Sequence, residues 1–206
     1  MREDRFVPAA PAKEVSVGLD ARWRDRAVSV PQALARLKSG DRVFVHGAAA
    51  TPLALLDGLA DKTDVEAVTL YHLHLEGPCE FVEPAHAGRY FSVSLFVGPR
   101  MRKPIEEGRA DFMPIFLSDI PKLFTLRTVP LDVAIVQLSP PDRHGNCTLG
   151  TSVDAARAAV DSAKIVIAEI NERMPRTHGN SAISLDQLDA FVCTDRPLPE
   201  AGVAVS

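Results

Sequence analysis

From Val30 onward, short runs of apolar residues alternate with stretches whose apolar positions recur at helical spacing. Residues 42–46 (RVFVH), 65–75 (VEAVTLYHLHL), 91–96 (FSVSLF), 131–138 (LDVAIVQL), 164–170 (KIVIAEI) and 190–194 have the length and composition of strands. Residues 111–116 (DFMPIF) form a further strand that Pro114 confines to an edge or a bulge. Between them the pattern predicts helices over 31–38, 53–60, 99–108, 118–124 and 155–163. Thr51 is placed to cap the second, with Pro52 as its first residue. Gly108 should stop the third. Ser118-Asp119 should cap the fourth, and Ser152 or Asp154 the fifth.

Strands that are apolar throughout must be covered on both faces, and helices alternating with them supply the cover. The expected fold is therefore α/β, an open and mainly parallel sheet of at least six strands with helices on both faces. Residues 1–29, polar and carrying Pro8 and Pro11, read as an N-terminal extension, and 30–206 as one α/β domain. Ligands of such sheets sit beyond the carboxyl ends of the strands. That singles out the loops after His46, His74, Leu138 and Ile170.

Composition narrows the function. The 206 residues are 46% hydrophobic and 24% charged, enough for one substantial core. Lys plus Arg number 23 and Asp plus Glu 27, with no basic stripe, which argues against a nucleic-acid partner. No apolar run reaches the ~18 residues of a membrane span, and the first residues lack the apolar core of a secretory signal. Cys79, Cys147 and Cys193 are widely spaced and odd in number, which suits reduced thiols in a cytoplasmic chain.

The familiar dinucleotide, P-loop, zincin and nucleophile-elbow motifs are missing. His46-Gly47-Ala48-Ala49-Ala50-Thr51 is small enough to let the backbone approach an anion at a helix start, or simply to pack strand against helix. His72, His74 and Glu76 alternate along one strand, so they share a face. They read as a polar strand end or as part of a metal site that lacks a fourth ligand, and no metal is assigned. Residues 139–147 (SPPDRHGNC) form a rigid loop in which Cys147 with His144 is either a nucleophile pair or a packed thiol beside a turn. In the loop 174–181 (MPRTHGNS), Arg176 is placed to pair with a carboxylate or phosphate, and Asn180 or Ser181 to donate a hydrogen bond; a solvated turn is the alternative. Glu106-Glu107 lies in a mixed-charge stretch and is given no chemistry.

Three segments together resemble the acetyl-CoA hydrolase/transferase family, the branch of class I coenzyme A transferases that includes 4-hydroxybutyrate CoA-transferase. They are 94–124 (SLFVGPRMRKPIEEGRADFMPIFLSDIPKLF), 132–154 (DVAIVQLSPPDRHGNCTLGTSVD) and 163–183 (AKIVIAEINERMPRTHGNSAI). The resemblance runs from about Val30 to Pro199. It implies a chain about twice this length, made of two similar α/β halves with the active site between them. In that family a glutamate of the C-terminal half attacks the acyl-CoA thioester and passes through a mixed anhydride to a glutamyl-CoA thioester. No glutamate here matches that motif, so no catalytic residue is assigned to this chain.

The resemblance gives this chain the other wall of the cleft, lined by His46, Gly47, Ala48, Ser139, Pro140, His144, Gly145, Asn180 and Ser181. The family loop that often reads G-H-A is His46-Gly47-Ala48 here, a one-residue displacement that turns the His to the other side of its strand. The expected partners are an acyl-CoA, a short carboxylic acid, a C-terminal half or partner subunit, and further copies in a homo-oligomer. No cofactor is expected, since the coenzyme A thioester enters as substrate. An acyl-CoA hydrolase of the same family and a non-catalytic CoA-ester-binding subunit are the alternative functions. A self-contained Cys147 hydrolase is another.

Overall fold

The computed structural model describes residues 21–200. Its centre is a parallel sheet of seven strands: β1 (Arg42–Val45), β2 (Val68–His72), β3 (Tyr90–Ser94), β4 (Ala110–Phe112), β5 (Val133–Leu138), β7 (Ile165–Asn171) and β9 (Ala190–Thr194). A separate antiparallel pair, β6 (Asn146–Thr148) with β8 (Ala182–Ser184), projects from it. The strand order is β4-β3-β2-β1-β5-β7-β9. The chain thus works outward from β1 to one edge, then returns to β5 and works outward to the other. The point of reversal lies between β1 and β5, where Val43, Phe44 and Val45 pair with Val133, Ala134 and Ile135.

Alternation along these strands builds two cores. Val43, Val45, Val133, Ile135 and Ile167 face helices α1 (Val30–Leu34), α2 (Leu53–Asp61) and α3 (Pro99–Glu106). Phe44, Ala134, Val136, Leu138, Ala168 and Ile170 face α4 (Ile120–Thr125) and α5 (Ala156–Ser162). β5 is buried at every position, as its unbroken apolar run requires. The expected fold class therefore holds.

Local sequence explains several element ends. Ser29 and Gln32 form a reciprocal capping box at α1, with Pro31 in its first turn. Gly108, at φ +72°, follows the last turn of α3. β4 stops before Pro114 and lies at the sheet edge.

Other ends differ from the sequence pattern. Helix α1 ends at Leu34 rather than 38, because its carboxyl side opens into turns before β1. Thr51 does not cap α2: Pro52 occupies the cap position, and the Thr51 hydroxyl instead donates to Ala48 O (2.7 Å) and accepts from Glu76 N (3.1 Å). Asp119 precedes α4 without accepting from its backbone; its carboxylate takes Lys122 Nζ instead. At α5 the cap position is Ala155, and the Asp154 carboxylate accepts from Ala155 N and Ala156 N. β2 ends at His72, so His74 and Glu76 lie past the strand and do not continue its face.

The packed unit also starts before residue 30. Trp23 is buried against Phe191 (ring centroids 6.0 Å apart), and Val28 N donates to Phe191 O. A polar stretch holding one Trp can contribute to a core through that side chain alone. Residues 1–20 of the expected extension lie outside the described residues.

Candidate functional site at the carboxyl end of the sheet

Because the seven strands are parallel, the segments after His46, His72, Ser94, Leu138 and Asn171 emerge at one end. Two groups of residues gather there, one on each side of the reversal point.

The first group is built on β1, β2 and β3. His46 is fully buried. Its Nε2–H donates to Ser152 O (2.5 Å) and its Nδ1 accepts from Gln137 N (3.3 Å). This fixes a neutral tautomer, and burial lowers its pKa against the opposing pull of Asp154. His46 thus ties β1 to β5 and to the 149–154 segment. Gly47 follows, and a Cβ there would lie 2.6 Å from His74 O, so only glycine admits the crossing. Ala48, left-handed at φ 52°, donates its N–H to His74 O (2.9 Å). His72 is also buried, with Nδ1 on Leu73 O and Nε2 on Ser92 Oγ. Burial holds its pKa down to about 4.

The second group is the β6–β8 pair and its flanks. The loops 139–147 and 174–181, distant in sequence, are joined here. Ser139 N donates to Thr148 O, and Ser139 Oγ accepts from Thr148 N at 3.0 Å. Pro140 is half-buried beside it. The Asp142 carboxylate accepts from His144 N and Asn146 N (both 2.9 Å) and from Arg176 (2.7 Å). Burial pushes its pKa up, but these donors outweigh burial and the net displacement is downward. Arg176 therefore already has a carboxylate partner within the chain. Gly145, at φ +81°, accepts from Leu185 N. His144 is exposed, with its ring taking a hydrogen bond from Arg143. Cys147 is buried in the core on the α4–α5 side, and burial pushes its thiol up to about 12. With His144 in solvent and Cys147 inside, the nucleophile pair does not form. Ser181 is buried, exchanging hydrogen bonds with Thr177, while Asn180 is exposed.

Between the two groups runs a polar network, of which sequence reasoning points only to Glu169, a carboxylate in a buried strand that needs a hydrogen-bond partner near the strand end. Gln137 Nε2 donates to Thr51 O (2.8 Å) and Gln137 Oε1 accepts from Asn171 Nδ2 (2.8 Å). Glu169, fully buried, accepts from Ala54 N at the start of α2 (2.9 Å) and from Thr194 Oγ1 (2.9 Å). Burial raises the Glu169 pKa despite these donors. The available signal was Gln137, Glu169 and Asn171 interrupting otherwise apolar strands near their carboxyl ends, at positions that share a face.

Among the described residues, no cluster of three His, Cys, Asp or Glu is arranged to hold a metal ion. A groove of about 500 Å³ lies between α1 and α2, where Asp57, Asp61 and Asp64 outnumber the single cation Lys62. That acidic lining suits a phosphorylated anion poorly. The carboxyl end, with its small-residue loop, is the better candidate.

The sequence profile of the acetyl-CoA hydrolase/transferase N-terminal domain matches residues 13–201. A succinyl-CoA:acetate/propanoyl-CoA:succinate CoA transferase of Fasciola hepatica is 42% identical over 167 residues, which cover 80% of this chain and 34% of that protein. A 4-hydroxybutyrate coenzyme A transferase of Clostridium kluyveri is 34% identical over 179 residues, covering 86% of this chain and 42% of that one. Among solved structures, RipA from Yersinia pestis superposes with a TM-score of 0.82 at 26% identity, over 88% of this chain and 45% of RipA. The chain spans roughly a third to two fifths of the length of these curated relatives.

Proposed function

The chain belongs to the acetyl-CoA hydrolase/transferase family, and from that premise we propose that it forms the N-terminal wall of a CoA-transferase cleft. The enzyme so formed moves CoA between a short acyl-CoA and a carboxylic acid. The observation that carries this reading is the 42% identity, over four fifths of the chain, to a protein named for that exchange.

In the proposed reaction a glutamate outside this chain attacks the thioester carbonyl. The C–S bond breaks, CoA leaves as thiolate and an acyl-glutamyl anhydride remains. The thiolate then attacks the glutamyl carbonyl and releases the first acid. The incoming carboxylate takes the second turn, forming a new anhydride that CoA opens to the product thioester and free glutamate. Each tetrahedral step places negative charge on a former carbonyl oxygen and is speeded by fixed donors in a dry cleft.

This chain's part is the wall: the loop His46-Gly47-Ala48 on one side of the reversal point, and Ser139, Pro140, His144, Gly145, Asn180 and Ser181 on the other. His46 acts from within, holding the loop rather than touching substrate. Glu169 is no nucleophile in this reading, because its oxygens are engaged by Ala54 and Thr194. No cofactor is needed. The partners are the glutamate-bearing half, supplied in the same chain or by another subunit, and further copies of the assembly, in the cytoplasm.

The test is CoA exchange between acetyl-CoA and a panel of short carboxylates, assayed with the chain alone and with a C-terminal part of a full-length relative supplied in trans. Exchange is expected only in the mixture. Turnover by the chain alone, abolished in Glu169→Gln with the fold intact, would move the nucleophile into this half and overturn the assignment.

A further inference from the structure

We propose that His74 is an acyl-binding residue, donating its Nε2–H to the oxygen of a thioester carbonyl or a carboxylate held beside Phe96. The proposal deepens the reading of this end of the sheet as a CoA-transferase wall and rests on it.

The placement comes first. Leu73 is buried in the core on the α4–α5 side and Leu75 in the core on the α1–α3 side. The backbone between them therefore crosses over the carboxyl end of the sheet, with His74 at the crossing. Two glycines close on it. A Cβ at Gly47 would lie 2.6 Å from His74 O, and one at Gly98 would lie 2.9 Å from His74 Cβ. Ala48 N is hydrogen-bonded to His74 O. The backbone of His74 is thus clamped between the loops after β1 and β3, next to the small-residue loop already assigned to the wall.

The ring is the anomaly. His74 Nδ1 is buried and has no hydrogen-bond partner. It is the sole buried side-chain nitrogen or oxygen among the described residues in that state. His46 and His72, by contrast, have both ring nitrogens engaged. A buried polar atom left unpaired is costly, and in native proteins such atoms gather where function demands them. A proton on Nδ1 would be a buried N–H with nothing to receive it. The half-buried ring therefore favours the tautomer with its proton on Nε2, which, unlike Nδ1, is not among the buried unpaired atoms. The result is a donor with favoured tautomer and fixed backbone, held at the rim of the end where ligands of this fold bind.

The neighbour defines the ligand's other part. Phe96 meets the His74 ring edge-on, centroids 5.7 Å apart, yet is 59% exposed. A donor beside an uncovered aromatic face suits a polar oxygen on a short apolar chain. Thioesters and carboxylates of short acids both carry that pairing. The adenine and phosphates of CoA do not.

The experiment uses the intact chain with ¹⁵N-labelled histidine. Long-range imidazole spectra are expected to show Nδ1 unprotonated and Nε2 protonated at His74; an Nδ1–H tautomer overturns the proposal without reference to any ligand. Acetyl-CoA, free CoA and acetate are then titrated separately. The His74 ring signals should move with acetyl-CoA, with acetate, or with both, which identifies the thioester or the acid as the source of the oxygen. They should not move with free CoA. His74→Phe keeps the ring and removes the orphaned nitrogen. It should retain wild-type stability while weakening acetyl-CoA binding about tenfold, with binding of free CoA unchanged. His74→Gln, which restores a donor near Nε2, should recover most of the loss. Equal losses for acetyl-CoA and CoA, or none for either, would reduce His74 to a packing residue. Failure of the wild-type chain to bind any of the three even with a C-terminal part of a full-length relative supplied in trans would instead overturn the CoA-transferase reading beneath the proposal.

Discussion

His72 and Glu169 are both buried titratable groups, and burial moves their pKa values so that their contributions to stability change in opposite directions with pH. For His72 the pKa falls from an ordinary 6.5 to about 4. Between those values the unfolded chain binds a proton that the folded chain does not. Stability from this group is therefore complete above the unfolded pKa and is lost as pH falls toward 4, by roughly 3 kcal/mol over the whole window. Chemical unfolding at pH 7.5 and at pH 5 should show a drop that His72→Gln flattens; an unchanged pH slope in the variant would refute the assignment. Glu169 has the opposite sign. Its pKa is raised, so above the ordinary carboxyl range the folded chain holds a proton that the unfolded chain has released. Its stabilising contribution is greatest at acid pH and declines as pH rises through the folded value. Glu169→Gln can still accept from Ala54 N and donate to Thr194 Oγ1. It should gain stability relative to wild type at pH 8 compared with pH 4.5, measured by the same unfolding curves. A constant difference across that range would mean the carboxylate is ionised in both states alike.

The β6–β8 pair shows how short elements are held by contacts remote in sequence. Each strand has three residues, too few to stand without support. The support is the Ser139–Thr148 pairing, the Asp142 turn, its bridge to Arg176, and the crossing of Gly150 over Met174. A Cβ at Gly150 would lie 2.0 Å from Met174 Sδ, and the residue sits at φ +65°. Gly150→Ala should cost about 2–4 kcal/mol and deprotect the amides of 146–148 in hydrogen exchange before those of β5. Wild-type protection there would show that Met174 simply swings aside. The same pair marks where the sequence was silent. β5 and β7 are legible because six consecutive positions in each obey one rule, burial. A three-residue strand obeys no period long enough to detect, and its pairing depends on residues 34 apart such as Asp142 and Arg176. Caps failed for a related reason. Thr51, Asp119 and Asp154 have the right chemistry for a cap, but Thr51 and Asp119 each found a different partner within reach. The site was partly legible: glycine and small residues after β1 were visible as a loop, whereas the orphaned ring nitrogen of His74 needs three dimensions.

At the scale of the whole molecule, apolar surface collects at the same end of the sheet as the candidate site. Ser94 pairs with Phe112 across β3 and β4, and the chain beyond each strand carries exposed aromatics. Phe96 is 59% exposed, Phe112 47%, Phe116 79% and Leu117 56%. Scattered apolar side chains are ordinary on a surface, and an apolar patch on a monomer seldom exceeds a few hundred Å²; Phe112, Phe116 and Leu117, at and just past the end of β4, are the three placed to meet a partner, while Phe96 stands beside His74. The length comparison supplies an occupant. The curated relatives carry more than half of their length outside the region this chain matches. On the proposed function that remainder packs against this end to complete the cleft. Deprived of it, the chain should cover Phe116 and Leu117 by self-association. Light scattering at tens of micromolar is expected to give a mass above the 22.3 kDa of one copy. Phe116→Asp combined with Leu117→Ser should return the chain to a monomer with an unchanged melting temperature, since neither side chain lies in a core. The same double variant should lose complex formation with a C-terminal part of a relative supplied in trans, while the wild-type chain exchanges its own copies for that partner. A monodisperse wild-type monomer, or a double variant that still binds the C-terminal part at wild-type affinity, would place the contact between the two halves elsewhere.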